Sequence, residues 1–526
     1  MSSPHSLDPV FSPEIIKYHR GLLGIDAPKH PGKDASLAPI IASSALRHFC
    51  KDNTPTEGAD TNADADKNVA PSLQYGLLAG FSDDIQSMKA RTKAQEEITD
   101  KDNDPRLFFN ITPPSSTFIC GSQGSGKSHT LSCMLEACLI PSSKLGRLPN
   151  PLTGVVFHYD TFISDIKGQP CEAGYLASNA DVSVRVLCAP TNVAKRTYAG
   201  LNVTIEPLQI DQSHLDTKRM MDLMAVTDDD VPLYMESVKR ILREMRIVQQ
   251  AEDGSGFDYR EFRRRINGCG FTPGQMGPLS QRLDALESFM PVFQTKLTPW
   301  GNKNEHGTGT DWKDVPGRLT IVDLSCPCIS PATACLLFNI CLEIFLQPHA
   351  NESNDARLGR VVALDEAHKY MTTSPESTVF TETLLRAVRL QRHLGARIIV
   401  SNQEPTVSTA LLDLCSTTIV HRFTSPDWMK VLKGHLAAGQ GEDHRDHNVE
   451  EEAAGDKKPM TLFERILSLK VGEALLFAPS AIVGVQDSGD WGNTQEVEYE
   501  RLGGKNLMIT VRGRLTDDGG KSILSQ

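Results

Sequence analysis

The 526-residue sequence is long enough for roughly three domains of about 150 residues, or for one large α/β core with insertions. Its 39% hydrophobic and 23% charged residues are ordinary for a globular protein, and no apolar run approaches the roughly 20 residues that cross a bilayer, so no membrane partner is expected. The net charge of -12 excludes a surface coated with basic residues, although a ring can keep its positive charge inside a central channel, so nucleic acid stays open as a partner.

The cysteines and the N-terminus predict an intracellular protein, cytoplasmic or nuclear. Twelve cysteines are scattered along the chain, many of them inside apolar runs, which is typical of reduced core residues rather than of a disulfide framework. The first residues lack the basic and then apolar pattern of a secretory signal peptide.

Residues 1–70 are predicted to form a partly disordered arm. They are rich in proline and include Lys51 to Asn68, a stretch with almost no apolar residue. The first part of the core domain is expected over residues 71–210. It begins with a predicted helix from Leu73 to Glu97 and a predicted strand over 107–111 that leads toward the next motif.

The segment GSQGSGKS, residues 121–128, matches the phosphate-loop (Walker A) pattern between an apolar run and a helix-prone stretch. Its glycines allow backbone N–H groups to face a phosphate, and the N-terminus of the following helix adds partial positive charge. Lys127 is predicted to reach the β and γ phosphates, and Ser128 to offer its hydroxyl to Mg²⁺. The predicted nucleotide-binding residues are Gly121, Ser122, Gln123, Gly124, Ser125, Gly126, Lys127, Ser128 and His129.

Short apolar runs alternate with helical stretches along most of the chain. Buried parallel strands have this pattern, which predicts a wound α/β fold with a mainly parallel sheet. The runs are residues 155–160, 184–188, 319–324, 361–364, 398–400, 418–420 and 474–477.

Between residues 211 and 292 the pattern is helical without strands, which predicts an all-helical insertion. In its longest helix, Val248 and other apolar residues share one face. The basic faces of this helix and of the next one could contact nucleic acid, but solvated surface paired with Glu236 and Glu244 is the simpler interpretation. The basic residues are Lys239, Arg240, Arg243 and Arg246, with a second group in residues 259–266.

The second part of the core is expected over residues 293–485, and it contains an acidic pair after a buried-strand pattern. Asp365 can hold the Mg²⁺ shell, and Glu366 can orient or deprotonate the attacking water. Because ligands of open α/β sheets lie beyond the carboxyl ends of the strands, we expect Asp365 and Gly121 to meet there.

Two further features of this part bear on hydrolysis. Gln403 follows an apolar run and is placed to hydrogen-bond the γ-phosphate or the water. Arg386, Arg389 and Arg392 recur every three residues on one side of a predicted helix. They could act as arginine fingers toward a neighbouring subunit's phosphate, or form a plain surface stripe.

The remaining segments offer weaker signals. Cys326 and Cys328 form a close pair, but no second Cys or His pair lies nearby to complete a metal site. The histidines of residues 439–459 lie in a polar stretch that is more typical of disorder than of a metal site. The C-terminal tail, residues 486–526, is predicted to contain one last strand carrying Arg512 and Arg514, which either crosses to a neighbouring subunit or forms an edge strand.

The motifs GSQGSGKS, IVDLS, LDEAHKY, RHLGARIIVSNQEP, TTIVHRF and LKVGEALLFAPSAI together resemble, in order and spacing, the HerA/FtsK family of P-loop ATPases. The resemblance covers roughly residues 107–485. It implies a RecA-like ATPase core, usually a hexameric ring that moves double-stranded DNA or other polymers through its pore. It also implies an ATP and Mg²⁺ site made by Lys127, Ser128, Asp365 of the Walker B strand, Glu366 and Gln403.

The chain departs from this family at one motif position and in its accessory parts. Asn402 stands where the family commonly has Thr or Ser, and we recognise neither a barrel-like N-terminal module nor a DNA-reading winged helix. The letters DEAH at 365–368 also suggest an RNA helicase. That alternative is rejected because Lys127 and Asp365 lie too far apart, and QRHLGAR follows too soon after DEAH.

The leading hypothesis is therefore an ATP hydrolase that forms a ring and translocates DNA. The alternative is a nucleotide-dependent switch or assembly ATPase that acts on a protein partner without translocation, and the acidic net charge mildly favours it. The complete motifs argue against an inactive structural homologue.

Overall fold

The computed structural model describes fifteen stretches of the chain, and the sequence around His444 and His447 lies outside them. Lys51 and Asp52, at the start of the segment predicted to be disordered, instead end a helix, while residues 53–68 lie outside the described stretches. No described helix is both long and apolar enough to span a bilayer. The described residues are 17, 19, 36–52, 73–93, 104–161, 168–191, 197–224, 232, 234–251, 256–295, 309–347, 358–404, 408–436, 460–487 and 497–519.

The strands of the described residues join into one sixteen-stranded sheet. The strands are β1 (Ile40–Ala42), β2 (Tyr75–Phe81), β3 (Arg106–Asn110), β4 (Ser116–Cys120), β5 (Gly146–Arg147), β6 (Thr153–His158), β7 (Ser183–Cys188), β8 (Val203–Pro207), β9 (Arg318–Asp323), β10 (Arg360–Leu364), β11 (Ala396–Asn402), β12 (Thr417–Val420), β13 (Glu473–Phe477), β14 (Ile482–Asp487), β15 (Val497–Arg501) and β16 (Leu507–Val511). Their order is β15-β14-β1-β3-β2-β16-β13-β12-β4-β11-β10-β6-β9-β7-β8, and β5 pairs with β2 outside this path.

Helices cover both faces of this sheet. They are α1 (Ser43–Asp52), α2 (Ser82–Lys93), α3 (Lys127–Leu139), α4 (Thr217–Leu223), α5 (Tyr234–Ala251), α6 (Tyr259–Asn267), α7 (Pro273–Glu287), α8 (Val292–Thr295), α9 (Pro331–Leu346), α10 (Pro375–Leu394), α11 (Thr409–Leu414), α12 (Pro426–His435) and α13 (Leu462–Ser468). Short 3₁₀ helices occur at Glu172–Ser178, Gln212–His214 and Ala367–Lys369.

Eight neighbouring strands, from β12 to β8 in the sheet order, run parallel and confirm the wound α/β class predicted from the sequence. Strands β4, β6, β10 and β11 are buried along their whole length, as expected when helices cover both faces of a sheet. Helix α3 packs on one face, while α9, α10 and the helices between β8 and β9 pack on the other. The parallel half therefore carries the core on which the predicted motifs lie.

The other half of the sheet is mainly antiparallel and corrects two strand predictions. The run 474–477 lies in β13, which is antiparallel to both β12 and β16 rather than one more parallel strand. The strand predicted at 107–111 is β3, but it pairs with β1 and β2, and β4 is the strand that leads into the phosphate loop.

The helix predicted from Leu73 to Glu97 is also wrong in its first half, where the chain forms β2 before α2 begins. Packing explains the difference. A Cβ atom at Gly76 would lie 2.7 Å from the Cβ of Ala137 on α3, so this glycine lets the strand approach the helix closely. Tertiary contact thus decides the conformation of a segment whose apolar residues fit either pattern.

Helices α4 to α8 lie between β8 and β9, in the region predicted to be helical. The basic faces carry acidic partners: Arg240 contacts Glu244 at 3.0 Å, and Arg265 contacts Glu244 at 3.3 Å. Lys239 lies 3.8 Å from Glu236, so both predicted acidic residues are paired. Val248, predicted on the buried face, is 45% exposed because it lines an open cleft between α5 and α6.

The C-terminal strand β16 lies inside the sheet between β13 and β2, so it is neither an edge strand nor a crossing to a neighbour. Arg512 and Arg514 follow the strand and contact Glu136 on α3 of the same chain, at 2.6 Å and 4.0 Å. Thr516 donates to the same carboxylate from its N–H and its hydroxyl. Burial alone would raise the pKa of Glu136, but Thr516 and Arg512 outweigh it and lower the pKa.

Removing this buried charge tests how much the C-terminal segment contributes to stability. We expect Glu136→Gln to lower the free energy of unfolding by about 3–5 kcal/mol, because it leaves buried guanidinium groups without their carboxylate. Urea denaturation of the two full-length proteins measures the difference. Glu382→Gln, at an exposed position of α10, is the control and should stay within about 0.5 kcal/mol of wild type. Equal stabilities of the two variants would contradict the assigned role of Glu136.

Candidate nucleotide-binding site

The phosphate loop connects β4 to α3, and its backbone conformation requires glycine. Gly124 and Gly126 have φ values of 71° and 113°, in the left-handed region that other residues avoid. Gly121 is also closely packed, since a Cβ there would lie 2.7 Å from the Cβ of His421. Gly126 caps the N-terminus of α3, so the first N–H groups of that helix face the loop. The loop can therefore receive an anion at the positive end of a helix.

Lys127 is the first residue of α3, and its side chain lies across the loop. The Nζ atom donates to the carbonyl oxygen of Ser122 at 3.2 Å and lies 3.9 Å from Oε1 of Glu366. Burial lowers the pKa of Lys127, while the charges of Glu366 and Asp365 act in the opposite direction. The ammonium group is thus buried between the loop and the acidic pair, where it can meet a phosphate with little water around it.

The other predicted loop residues differ in their hydrogen bonds to the rest of the protein and in their exposure to solvent. The N–H and the hydroxyl of Ser122 both donate to the carbonyl oxygen of Arg422, at 2.9 Å and 2.8 Å. Nε2 of His129 lies 2.8 Å from the carbonyl oxygen of Arg512. Gln123 is exposed and Ser128 is half-buried, so these two side chains lie nearer to solvent.

The acidic pair follows β10 and reaches the same edge of the sheet as the phosphate loop. The N–H of Asp365 donates to the carbonyl oxygen of Phe157 at 3.0 Å, which continues the pairing of β10 with β6. Glu366 has φ 49° and ψ 46°, and it is the one non-glycine residue with positive φ among those described. This conformation costs about 1–3 kcal/mol and is common at functional sites. The residue with this strained backbone is also the one whose carboxylate contacts Lys127.

Asp365 lies in a buried cluster with His158, at the end of β6, and with Cys171. Nδ1 of His158 is 3.2 Å from Oδ2 of Asp365, and the Cys171 thiol donates to the same oxygen at 3.7 Å. Burial alone would lower the pKa of His158 and raise that of Asp365. The contacts within the cluster outweigh burial, so the pKa of His158 is raised well above its usual value and that of Asp365 is lowered. Asp365 is therefore held as a carboxylate.

Asn402 and His368 connect the end of β11 to the acidic pair. Oδ1 of Asn402 accepts from the N–H of His368 at 3.0 Å, and the N–H of Gln403 donates to Nδ1 of His368 at 3.4 Å. The second ring nitrogen of His368 lies 3.5 Å from Oε2 of Glu366. Asn402, where the sequence departs from the family pattern, thus positions the residue that touches both Gln403 and Glu366.

His421 follows β12 and packs against Gly121 of the phosphate loop. Its Nδ1 lies 3.0 Å from the carbonyl oxygen of Glu473, and its Nε2 lies 2.9 Å from the hydroxyl of Thr130 on α3. The carbonyl requires a donor at Nδ1, so Nε2 accepts from Thr130 and the ring is neutral. Burial lowers the pKa of His421 to about 4.

Arg386, Arg389 and Arg392 lie on the solvent-facing side of α10, and all three are exposed. None of them forms an ion pair with another residue in the described part of the chain. Their side chains are therefore open to solvent and available to another molecule.

The residues around the phosphate loop fit a magnesium ion bound with a nucleotide. Oδ1 of Asp365 is buried and has no hydrogen-bond partner among the described residues, which leaves one carboxylate oxygen for a cation or its waters. Ser128, at the start of α3, offers the hydroxyl oxygen that such loops commonly contribute.

The structure brings Lys127 within 3.9 Å of Glu366, next to Asp365 in the chain, and connects the backbone of Gln403 to Glu366 through His368. Three residues that shape the site were missed: His158, Cys171 and His421. His158 lies within the predicted strand 155–160, and His421 lies in one of the quoted motifs, so each carried a weak positional signal. Cys171 carried none, because it lies outside every predicted element and motif.

No protein-family profile and no curated protein sequence matches the chain. Its structure is similar to VirB4 of Thermoanaerobacter pseudethanolicus, with 12% identity and a TM-score of 0.45, over 79% of this chain and 96% of that one. It is also similar to the plasmid coupling protein TrwB in complex with ADP and Mg²⁺, with 11% identity and a TM-score of 0.43, over 86% and 97%.

A further similar structure is the genome packaging NTPase B204 from Sulfolobus turreted icosahedral virus 2 in complex with ATP-gammaS. The identity is 8% and the TM-score 0.25, over 74% of this chain and 98% of that one. The fold class rests on the strand order of this chain itself.

The neutral state of His421 has a consequence for stability. Its folded pKa is about 4, against 6.5 for an ordinary histidine, so the unfolded chain binds a proton between these pH values and the folded chain does not. We expect the contribution of His421 to be complete above pH 6.5 and to decrease as the pH falls toward 4. At about 1.4 kcal/mol for each pKa unit, the loss is about 3 kcal/mol.

Denaturant unfolding of wild type and His421→Gln at several pH values between 6.5 and 4 tests this expectation. Glutamine keeps a donor and an acceptor without titrating, so the stability difference between the two proteins should change with pH by about 3 kcal/mol. A difference that stays constant over this range would show that the ring is not held neutral.

Proposed function

We propose that this protein is an ATP hydrolase whose subunits form a ring and couple hydrolysis to the translocation of DNA. The observation that carries the hydrolase part is the 3.9 Å contact of Lys127 with Glu366, beside the buried carboxylate of Asp365. A phosphate-binding lysine, a metal-binding acid and a water-activating acid then converge at one edge of the sheet, as nucleotide hydrolysis requires.

Each group has a distinct part in the reaction. Backbone N–H groups of the phosphate loop and the ammonium of Lys127 bind the β and γ phosphates, which replaces the contacts of Lys127 with Ser122 and Glu366. Ser128 and Asp365 would hold Mg²⁺, which neutralises charge on the phosphate oxygens when it is bound with ATP. Glu366, released from Lys127, orients the water and accepts its proton.

Gln403 is proposed to report the state of the nucleotide. Its backbone N–H contacts His368, and His368 also contacts Glu366. A change in the position of Glu366 at the γ-phosphate can therefore be transmitted through His368 to the end of β11. The half-buried side chain of Gln403 can hydrogen-bond the phosphate or the water.

Ring formation is supported by the exposed arginines of α10. An arginine that acts across a subunit interface must be free of partners in its own chain, and Arg386, Arg389 and Arg392 form no ion pair with a described residue. A hexamer and DNA as the transported polymer rest on the family resemblance. In the insertion, Arg240 and Arg265 are paired with Glu244, whereas Arg243 and Arg246 are exposed and form no ion pair with a described residue.

Steady-state hydrolysis and nucleotide binding separate the roles of the site residues. We expect Glu366→Gln to lower the rate by a factor of about 10² to 10⁴ while ATP still binds, because only proton transfer is lost. Lys127→Ala should lose nucleotide binding itself. Glu382→Gln, which also removes one carboxylate but at an exposed position, should hydrolyse ATP like wild type.

Duplex DNA separates the motor from the switch in the same assay. Hydrolysis that rises with DNA in the assembled wild type, and is absent in Glu366→Gln, supports the motor. A hydrolysis rate that does not change when DNA is added would favour the alternative, a nucleotide-dependent switch that acts on a protein partner. No hydrolysis by any of the proteins would contradict the proposed enzyme.

Mixed assemblies test whether an arginine of α10 acts across an interface. We expect one of Arg386→Ala, Arg389→Ala and Arg392→Ala to lower hydrolysis by about 10³, the usual contribution of an arginine finger. Co-expression of that variant with Glu366→Gln should restore part of the activity, because a subunit with an intact Glu366 can receive an arginine from its neighbour. Absence of recovery would place the arginine's effect within its own subunit, and three active variants would indicate a plain surface stripe.

A further inference from the structure

The buried cluster of His158, Cys171 and Asp365 contains two metal-binding side chains that nucleotide hydrolysis does not need. The proposed reaction needs Asp365, but it assigns no part to an imidazole and a thiol beneath it. The three side chains come from separate segments, and their ligand atoms all lie within 4.8 Å of one another. Each of the three residues is buried.

The distances within the cluster match those around a tetrahedral metal ion. Zinc binds imidazole nitrogen and carboxylate oxygen at about 2.0–2.2 Å and thiolate sulfur at about 2.3 Å, which places neighbouring ligand atoms roughly 3.3–3.6 Å apart. The measured separations from Oδ2 of Asp365 are 3.2 Å to Nδ1 of His158 and 3.7 Å to Sγ of Cys171. The ligand atoms of His158 and Cys171 lie within 4.8 Å of each other as well, so the three side chains are close enough to share one such ion.

The hydrogen bonds of the cluster leave two of its polar atoms unsatisfied. Oδ1 of Asp365 and Nε2 of His158 are buried and have no partner among the described residues. An ion held through Nδ1 of His158 and Oδ2 of Asp365 leaves both of these atoms free, so Oδ1 stays available to the Mg²⁺ proposed at the phosphate loop, and Nε2 can hydrogen-bond a water.

We propose that His158, Cys171 and Asp365 form a binding site for a thiophilic divalent cation, Zn²⁺ or Co²⁺, with three protein ligands and an open fourth position. Metal binding releases two protons to solvent, the thiol proton of Cys171 and the proton that Nδ1 of His158 shares with Oδ2 of Asp365, and no oxidation or reduction takes place. Thiolate and imidazole ligands favour these ions over Mg²⁺, which prefers oxygen ligands.

The site would influence the nucleotide through a shared carboxylate. Two divalent cations on Asp365 repel each other, so Zn²⁺ and Mg²⁺ with nucleotide should weaken each other's binding by the same factor. This consequence rests on the proposed function, whereas metal binding to the cluster does not.

Cobalt titration of the full-length protein without nucleotide tests the site directly. We expect a thiolate-to-cobalt charge-transfer absorption that disappears when Zn²⁺ is added. Cys171→Ala should lose this absorption and bind Co²⁺ at least about tenfold more weakly, and His158→Gln should weaken binding similarly. Cys341→Ala removes an equally buried thiol on α9, and it should bind Co²⁺ like wild type.

The remaining outcomes either contradict the metal site or separate it from the proposed function. Absence of the absorption in folded wild type would rule out the site, and so would its persistence in both folded Cys171→Ala and folded His158→Gln. Loss of the absorption in Cys328→Ala, with Cys171→Ala unaffected, would assign cobalt to the Cys326 and Cys328 pair. Cobalt bound through Cys171 in a protein that hydrolyses no ATP would support the metal site and contradict only the proposed function.

Discussion

The candidate site depends on the register of three neighbouring parallel strands. β4 ends in the phosphate loop, β10 ends in the acidic pair, and β11 lies between them. Strands lie about 4.8 Å apart, so the two loops are separated by roughly 10 Å, a gap that the side chains of Lys127 and Glu366 bridge. Since a slip of one residue would turn each strand's core side chains to the opposite face, burial of these strands also maintains the geometry of the site.

Local patterns were sufficient for the parallel half of the sheet but not for the antiparallel half. A buried parallel strand is a continuous apolar run, so β6, β10 and β11 are visible in a short window of sequence. The place of β2 is set by partners far away in the chain: Ser82, just after it, meets Thr510 of β16, 428 residues later. No short window contains that contact, and the apolar residues near Leu73 suit a helix as well as a strand.

The residues of the site also divide into those that a local sequence pattern reveals and those that only long-range contacts reveal. Lys127, Asp365 and Glu366 could be identified because contiguous motifs encode both their identity and their position, at the start of a helix for Lys127 and after a strand end for the acidic pair. His158, Cys171 and His421 act through the residues that the fold packs against them, and none belongs to a pattern with a chemical meaning of its own. The positive φ of Glu366 was equally hidden, because glutamate does not signal a left-handed conformation.

The position of β16 affects how the chain is made in the cell. Arg512 reaches Glu136 across 376 residues of sequence, which take a ribosome roughly 20–75 s to translate at about 5–20 residues per second. During that time β2 lacks its partner strand β16, and the phosphate-loop helix carries a carboxylate without its cations. Unpaired strand edges and exposed apolar faces of this kind are what chaperones bind. The phosphate-loop helix thus reaches its final surroundings long after its own synthesis, so a nascent chain needs protection until β16 has emerged.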